Sequence, residues 1–146
     1  MRNFRNYEIY QEAMNIATLV YRKTRTFPKS ELFSLTNQLN RAVVSIASNI
    51  AEGASRESEK EFSHFLEIAT GSAFEVETQL IIAKNLDYLN EKEIEPIIDK
   101  LGKIERQLNQ LIIMLNNNKV EVSQGFSQSQ SQSQSQSQRQ RQSKKL

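Results

Sequence analysis

Four times between Ile9 and Leu115, apolar side chains recur at alternating three- and four-residue intervals, and a turn signal separates each run from the next. Such spacing puts the apolar residues on one stripe of a 3.6-residue helix, and no stretch shows the period-2 alternation of a strand. The first run, Ile9, Ala13, Ile16 and Val20 with Tyr10, Met14, Ala17 and Tyr21 beside it, predicts a helix from about Asn6 to Phe27, ended by Pro28. The second follows Ser30 as an N-cap and carries Leu32, Leu35, Leu39, Ala42, Ile46 and Ile50, with Gly53 expected to stop it. Ser58 and Glu61 make a capping-box pair for a third helix, through Phe62, Phe65, Ala69, Val76, Leu80 and Ala83 to about Leu86. Asn90 and Glu93 repeat that signature for a fourth, through Ile94, Ile97, Leu101, Ile104, Leu108, Leu111 and Leu115, with Pro96 expected to shift its start or kink it.

Long helices joined by short connections lie antiparallel to their chain neighbours. The expected fold class is therefore all-α, an antiparallel up-and-down four-helix bundle over residues 1–118. From Ser127 to Gln138 the chain is six Ser-Gln repeats, followed by Arg-Gln-Arg-Gln-Ser-Lys-Lys-Leu. That composition has almost no apolar surface to offset the entropy of ordering, so residues 119–146 are expected to form a disordered C-terminal tail. The tract reads equally well as the expansion of a short DNA repeat with no selected role.

Residue types narrow the chemistry. The chain has no cysteine and a single histidine, His64, which excludes thiolate and imidazole-rich metal sites; no metal or cofactor is expected. His64 reads as a solvated side chain near Glu61 and Glu67. Carboxylates are plentiful, but no nucleophile or phosphate-cradling glycine loop accompanies them, so no catalytic residue and no enzyme activity is expected. Without a signal-peptide pattern or an apolar run able to span a bilayer, the expected location is the cytoplasm, with no membrane partner.

The second helix is apolar over a wide arc, with Val44 and Ala51 well outside the core face and Arg41, Ser45, Ser48 and Glu52 as a narrow polar stripe opposite it. Leu80-Ile81-Ile82-Ala83 and Leu111-Ile112-Ile113-Met114-Leu115 cover every direction of their helices. A lone bundle leaves part of this surface in water, which points to a homo-oligomer.

Two strings then carry a resemblance: Gln38-Leu39-x-Arg41-Ala42-x-x-Ser45-Ile46-x-x-Asn49-Ile50-Ala51-Glu52-Gly53-x-x-Arg56, and Phe65-Leu66-x-Ile68-Ala69-x-Gly71-Ser72-x-x-Glu75. Over roughly residues 4–116 the chain resembles the bacterial 23S rRNA-intervening-sequence proteins, also called the four helix bundle protein family. The resemblance implies a ring-like homopentamer without enzymatic activity and with no settled biochemical role. A distant relative serves the reverse transcriptase of diversity-generating retroelements and binds nucleic acid through a basic surface. Where the family has Leu-Gly-Tyr-Leu after the third helix, this chain has Leu86-Asp87-Tyr88-Leu89, and the mildly acidic body differs from that basic relative.

Two groups of residues are candidates for function. Arg41, Ser45, Asn49, Glu52, Gly53, Gly71, Ser72 and Glu75 are the polar and structural residues of the motif; of these, Arg41, Asn49, Glu52 and Glu75 form either a ligand or RNA site or, as favoured, satisfied polar groups that fix register and assembly geometry, and the small Gly71-Ser72 pair is expected to admit another backbone. Arg2 and Arg5 before the first helix, and Arg22, Lys23, Arg25 and Lys29 around its end, are candidate phosphate contacts. So are Arg139, Arg141, Lys144 and Lys145, in a tail with five Lys/Arg against one Asp/Glu. A cation at a helix C-terminus also has a local reason, the negative end of the macrodipole. The expected function is a homo-oligomeric scaffold that binds RNA or DNA weakly. The alternative is a protein-interaction adaptor, for example for a reverse transcriptase or another nucleic-acid enzyme, with little nucleic-acid affinity of its own.

Overall fold

The structure, a computed structural model, describes the backbone of residues 1–143 and the side chains of residues 1–118. Its helices are α1 (Glu8–Thr24), α2 (Leu35–Ser55), α3 (Glu59–Asn85) and α4 (Glu91–Ser143), with short 3-10 turns at Phe4–Asn6 and Lys29–Glu31. Each helix packs on the next and α1 also meets α4, closing an up-and-down four-helix bundle. Glu8 against Lys103 and Glu12 against Lys100 record the antiparallel course of α1 and α4.

The predicted stripes form the core. Ile16, Leu39, Ile46, Ile50, Phe62, Leu66, Leu80, Ile94, Leu101, Ile104 and Leu108 have at most 2% of their surface exposed, and Ala13, Ala69, Ala73 and Ala83 fill the gaps between them. Each large side chain buried in this way contributes roughly 1.5–3 kcal/mol, which is why the seams outweigh local propensity in setting the helices' lengths. Both capping signatures are present. Ser58 Oγ accepts from the Glu61 amide at 3.0 Å, while Asn90 Oδ1 accepts from the Glu93 amide and Glu93 Oε2 from the Asn90 amide, at 3.0 and 2.9 Å.

Boundaries differ from expectation where tertiary contacts intervene. α1 ends at Thr24 rather than Phe27: Thr26 and Phe27 close three-residue turns onto Lys23 and Thr24, and Phe27 leaves the helix to pack its ring 5.5 Å from that of Tyr88. Ser30 does not cap α2. The Glu31 carboxylate instead accepts from the Leu35 amide (3.2 Å) and the Ser34 hydroxyl, so α2 starts at Leu35, and Leu32, expected on its seam, is 53% exposed. Pro96 lies inside α4, whose start at Glu91 is not shifted.

Gly53 does not stop α2 either. The helix runs to Ser55, and the glycine is buried where a Cβ would sit 2.8 Å from Phe65 Cβ and 2.9 Å from Phe62 Cδ2. It is there so that α3 can approach α2 closely. The α4 backbone is helical to Ser143, past Asn118, where composition places the end of the bundle; the disorder expected for residues 119–146 falls outside the residues described in full. No described helix is long and apolar enough to cross a membrane.

Candidate functional site

The motif residues collect along the outer edge of the α2–α3 joint. Ser45, expected opposite the core, is turned toward α3, and its Oγ lies 2.9 Å from Ser72 Oγ. Asn49 donates its Nδ2 to the Ser45 carbonyl (2.8 Å) and to Ser45 Oγ (2.9 Å), one turn back on α2. These small polar groups satisfy one another where two helices touch. Farther along, Gln79 donates to Glu75 Oε1 at 3.1 Å, but its own Oε1 is buried without a hydrogen-bond partner.

At the other end of the joint Glu52 pairs with Arg56, whose guanidinium stands 5.0 Å over the Phe65 ring. Arg41 and Glu75 are exposed. Gly71 is exposed as well, and a methyl group placed there would meet nothing within 4 Å, so inside the protomer the close approach expected at Gly71-Ser72 is made at Ser72 and not at Gly71. Ile68, Gly71, Glu75 and Ile82 follow one another at helical spacing on this uncovered stripe, with Ile68 and Ile82 39% and 42% exposed.

The candidate cations divide between the two ends of the bundle. Arg2 and Arg5 lie beside the C-terminus of α2. Arg2 is used structurally: Nη1 donates to the Arg56 carbonyl at 2.7 Å and the guanidinium lies 4.8 Å from the Phe62 ring centroid. Arg5 covers Phe4 in the same way. Arg22, Lys23, Arg25 and Lys29 stand at the opposite end, where Lys23 pairs with Glu93 at 3.5 Å. Arg22, Arg25 and Lys29 are exposed and make no salt bridge to any described residue. The side chains of Arg139, Arg141, Lys144 and Lys145 lie outside the described residues.

His64 is exposed, 3.9 Å from Glu67. Among the described residues no group of three or more His, Cys, Asp or Glu side chains is placed to hold a metal ion. One group that the sequence does not flag is Glu105 on α4. Burial and the neighbouring Glu77 carboxylate push its carboxyl above the ordinary range, with Arg106 partly opposing them. A single glutamate beside a helix seam has no distinguishing local pattern, so only the three-dimensional placement finds it.

The family model for the 23S rRNA-intervening sequence protein matches residues 5–110, the greater part of this chain. The chain belongs to the 23S rRNA-intervening sequence protein family. A solved structure from Bacteroides thetaiotaomicron, described as a protein of unknown function from the S23 ribosomal protein family, has the same fold. It superposes with a TM-score of 0.65 at 23% identity, covering 71% of this chain and 97% of that one. No curated protein matches the chain. The motif seam and the Arg22–Lys29 cluster both fall within the part matched by the family model.

Proposed function

We propose that this member of the 23S rRNA-intervening sequence family is a non-enzymatic, cytoplasmic homo-oligomeric scaffold, most simply a ring of five, that binds RNA or DNA weakly through Lys/Arg contacts with phosphate. The observation that carries the reading is the cluster of Arg22, Arg25 and Lys29, exposed and unpaired among the described residues at one end of the bundle. One such cluster has low affinity. Repeated around a closed ring on a single rim, the same cluster acts at high effective concentration on one strand. Assembly itself is supported by the uncovered Ile68, Ile82, Phe74 and Ile81 on α3, and by the open stripe at Gly71.

The test is binding of single-stranded RNA, duplex RNA and duplex DNA at two salt concentrations. It compares the full chain, a chain ending at Asn118, and the full chain with Arg22→Ala and Arg25→Ala. Removing a cation that neutralises one phosphate should flatten the salt dependence by nearly one unit of log-log slope on duplex DNA. If the bundle rim binds, the double substitution weakens all three complexes more than truncation does; if Arg139, Arg141, Lys144 and Lys145 bind, the order reverses. Absence of binding at low salt rejects the reading. A second reading, a protein-interaction adaptor, is favoured by Phe33, 89% exposed beside the half-exposed Leu32. Large apolar side chains left in water on a loop suit a protein partner, such as a nucleic-acid enzyme.

A further inference from the structure

A cavity of about 280 Å³ lies between the last turn of α1, the 25–34 connection and the first turns of α2. Tyr21, Phe27, Pro28 and Leu32 give it apolar walls, and the exposed Arg25 and Lys29 belong to its lining. Thr36 and Asn40 contribute its polar groups. Thr36 is only 8% exposed, and its Oγ1 is buried with no hydrogen-bond partner. Folded proteins satisfy nearly all such groups, so an orphaned hydroxyl on a cavity-lining residue is one that a turn of the Thr36 side chain toward the cavity lets a ligand's polar atom satisfy. Nearby, the buried Thr24 hydroxyl donates to Asn40 Oδ1 at 2.9 Å, which positions the Asn40 amide.

The combination narrows the ligand. A bare phosphate has no use for aromatic and proline walls, and a purely apolar ligand has no use for two cations and a hydroxyl. The volume is at the small end of ligand sites, of the order of 300 Å³; it takes one small molecule and no part of a stacked duplex. We propose that this cavity binds a nucleoside monophosphate, either free or as the 5′-phosphorylated end of a single strand. The base lies against Tyr21 and Phe27, its polar edge meets Thr36 and Asn40, and Arg25 and Lys29 hold the phosphate. The choice of ligand rests on the nucleic-acid reading above and deepens it, from contact with any phosphate to capture of a terminal nucleotide.

The experiment uses the full-length protein and reads tyrosine fluorescence, to which Tyr21 contributes as one of four tyrosines in a chain without tryptophan, together with calorimetry. Ligands are adenosine monophosphate, adenosine, inorganic phosphate, and short single-stranded RNAs with a 5′-phosphate or a 5′-hydroxyl. The monophosphate is expected to bind about tenfold or more tighter than adenosine or phosphate alone. A similar preference for the 5′-phosphorylated RNA assigns the site to strand ends; no preference between the RNAs, with monophosphate binding intact, assigns it to the free nucleotide. Arg25→Ala with Lys29→Ala should remove the preference for phosphorylated ligands.

Thr36→Val keeps the side chain's shape but removes the unpaired hydroxyl. It should raise the melting temperature of the free protein while weakening the monophosphate, two changes that damage to the fold would not produce together. Monophosphate binding no tighter than adenosine or phosphate, or unchanged by both variants, overturns the proposal. A long single-stranded RNA at low salt separates the two levels: binding of that RNA without the monophosphate rejects the cavity and spares the scaffold reading. Loss of both rejects both, and the monophosphate alone upholds the cavity.

Discussion

Asp87 adopts φ 61°, the left-handed conformation in which a side chain is strained. It does so because α3 must turn sharply there: the Tyr88 amide reaches back to the Ala83 carbonyl at 2.9 Å and the Asp87 amide to that of Lys84 at 3.0 Å, a Schellman closure that glycine usually serves. Asp87→Gly should stabilise the protein by about 1 kcal/mol, seen as a higher thermal midpoint by circular dichroism. An unchanged or lower midpoint would show that the aspartate is not strained. Glu31 illustrates a residue whose role has no local signature. Ser34, the Leu35 amide and the Tyr88 hydroxyl all donate to its carboxylate and hold it below the ordinary range. A carboxyl with a lowered pKa in the folded state adds stability above its unfolded pKa and loses it as pH falls through the folded value. Glu31→Gln should therefore lower the midpoint at neutral pH, with the deficit shrinking as the solution is acidified through the carboxylate range. A deficit that stays constant with pH would mean the charge is irrelevant. Tyr88 lies 57 residues away in sequence, so nothing near Glu31 announces the contact.

At the scale of elements, two glycines that look alike in sequence have opposite surroundings. Gly53→Ala should cost about 1–3 kcal/mol through overpacking, because the new methyl meets Phe65 Cβ and Phe62 at under 3 Å and α3 must move away. Gly71→Ala meets nothing in the protomer and should gain up to about 1 kcal/mol of helix propensity. If Gly71 faces a second copy, the same substitution weakens assembly while stabilising the isolated chain. Denaturant unfolding combined with sedimentation distinguishes these outcomes. The four helices and the caps at Ser58 and Asn90 were legible because they are local patterns of spacing and hydrogen bonding. The starts and stops near Ser30, Phe27 and Gly53 were not, since each depends on a contact with another helix or with the Tyr88 turn. The candidate cations were legible as a set of residues but not as a site. Their sequence neighbourhood does not reveal that Arg2 is spent on Phe62 and the Arg56 carbonyl, or that Arg25 and Lys29 share a cavity with the unpaired Thr36 hydroxyl.

For the whole molecule, Phe74 and Ile81 on α3 and Ile113 on α4 are side chains that a solitary bundle leaves 54%, 39% and 50% exposed. Ile81→Asp or Ile113→Asp should leave the protomer folded, since neither position is in its core, and should dissociate an assembly that buries it, because an unpaired carboxylate would lose its water. Sedimentation equilibrium of the unaltered protein should show a closed multimer, most simply of five chains; a monomer at micromolar concentration would remove the basis for the ring. The four sides of the bundle are also unequally joined. α2 and α3 share the broadest contact, interlocked at Gly53 and bonded through Ser45 and Ser72, whereas α1 and α4 share the narrowest, edged by the exposed pair Glu8–Lys103 and the half-buried pairs Glu12–Lys100 and Lys23–Glu93. Exposed pairs contribute little and are screened by salt. Joined in this way, the molecule is expected to open first between α1 and α4, like a book with α2 and α3 as its spine. Amide hydrogens of α1 should exchange with solvent ahead of those in the middle of α2 and α3, and the lead should widen as ionic strength rises.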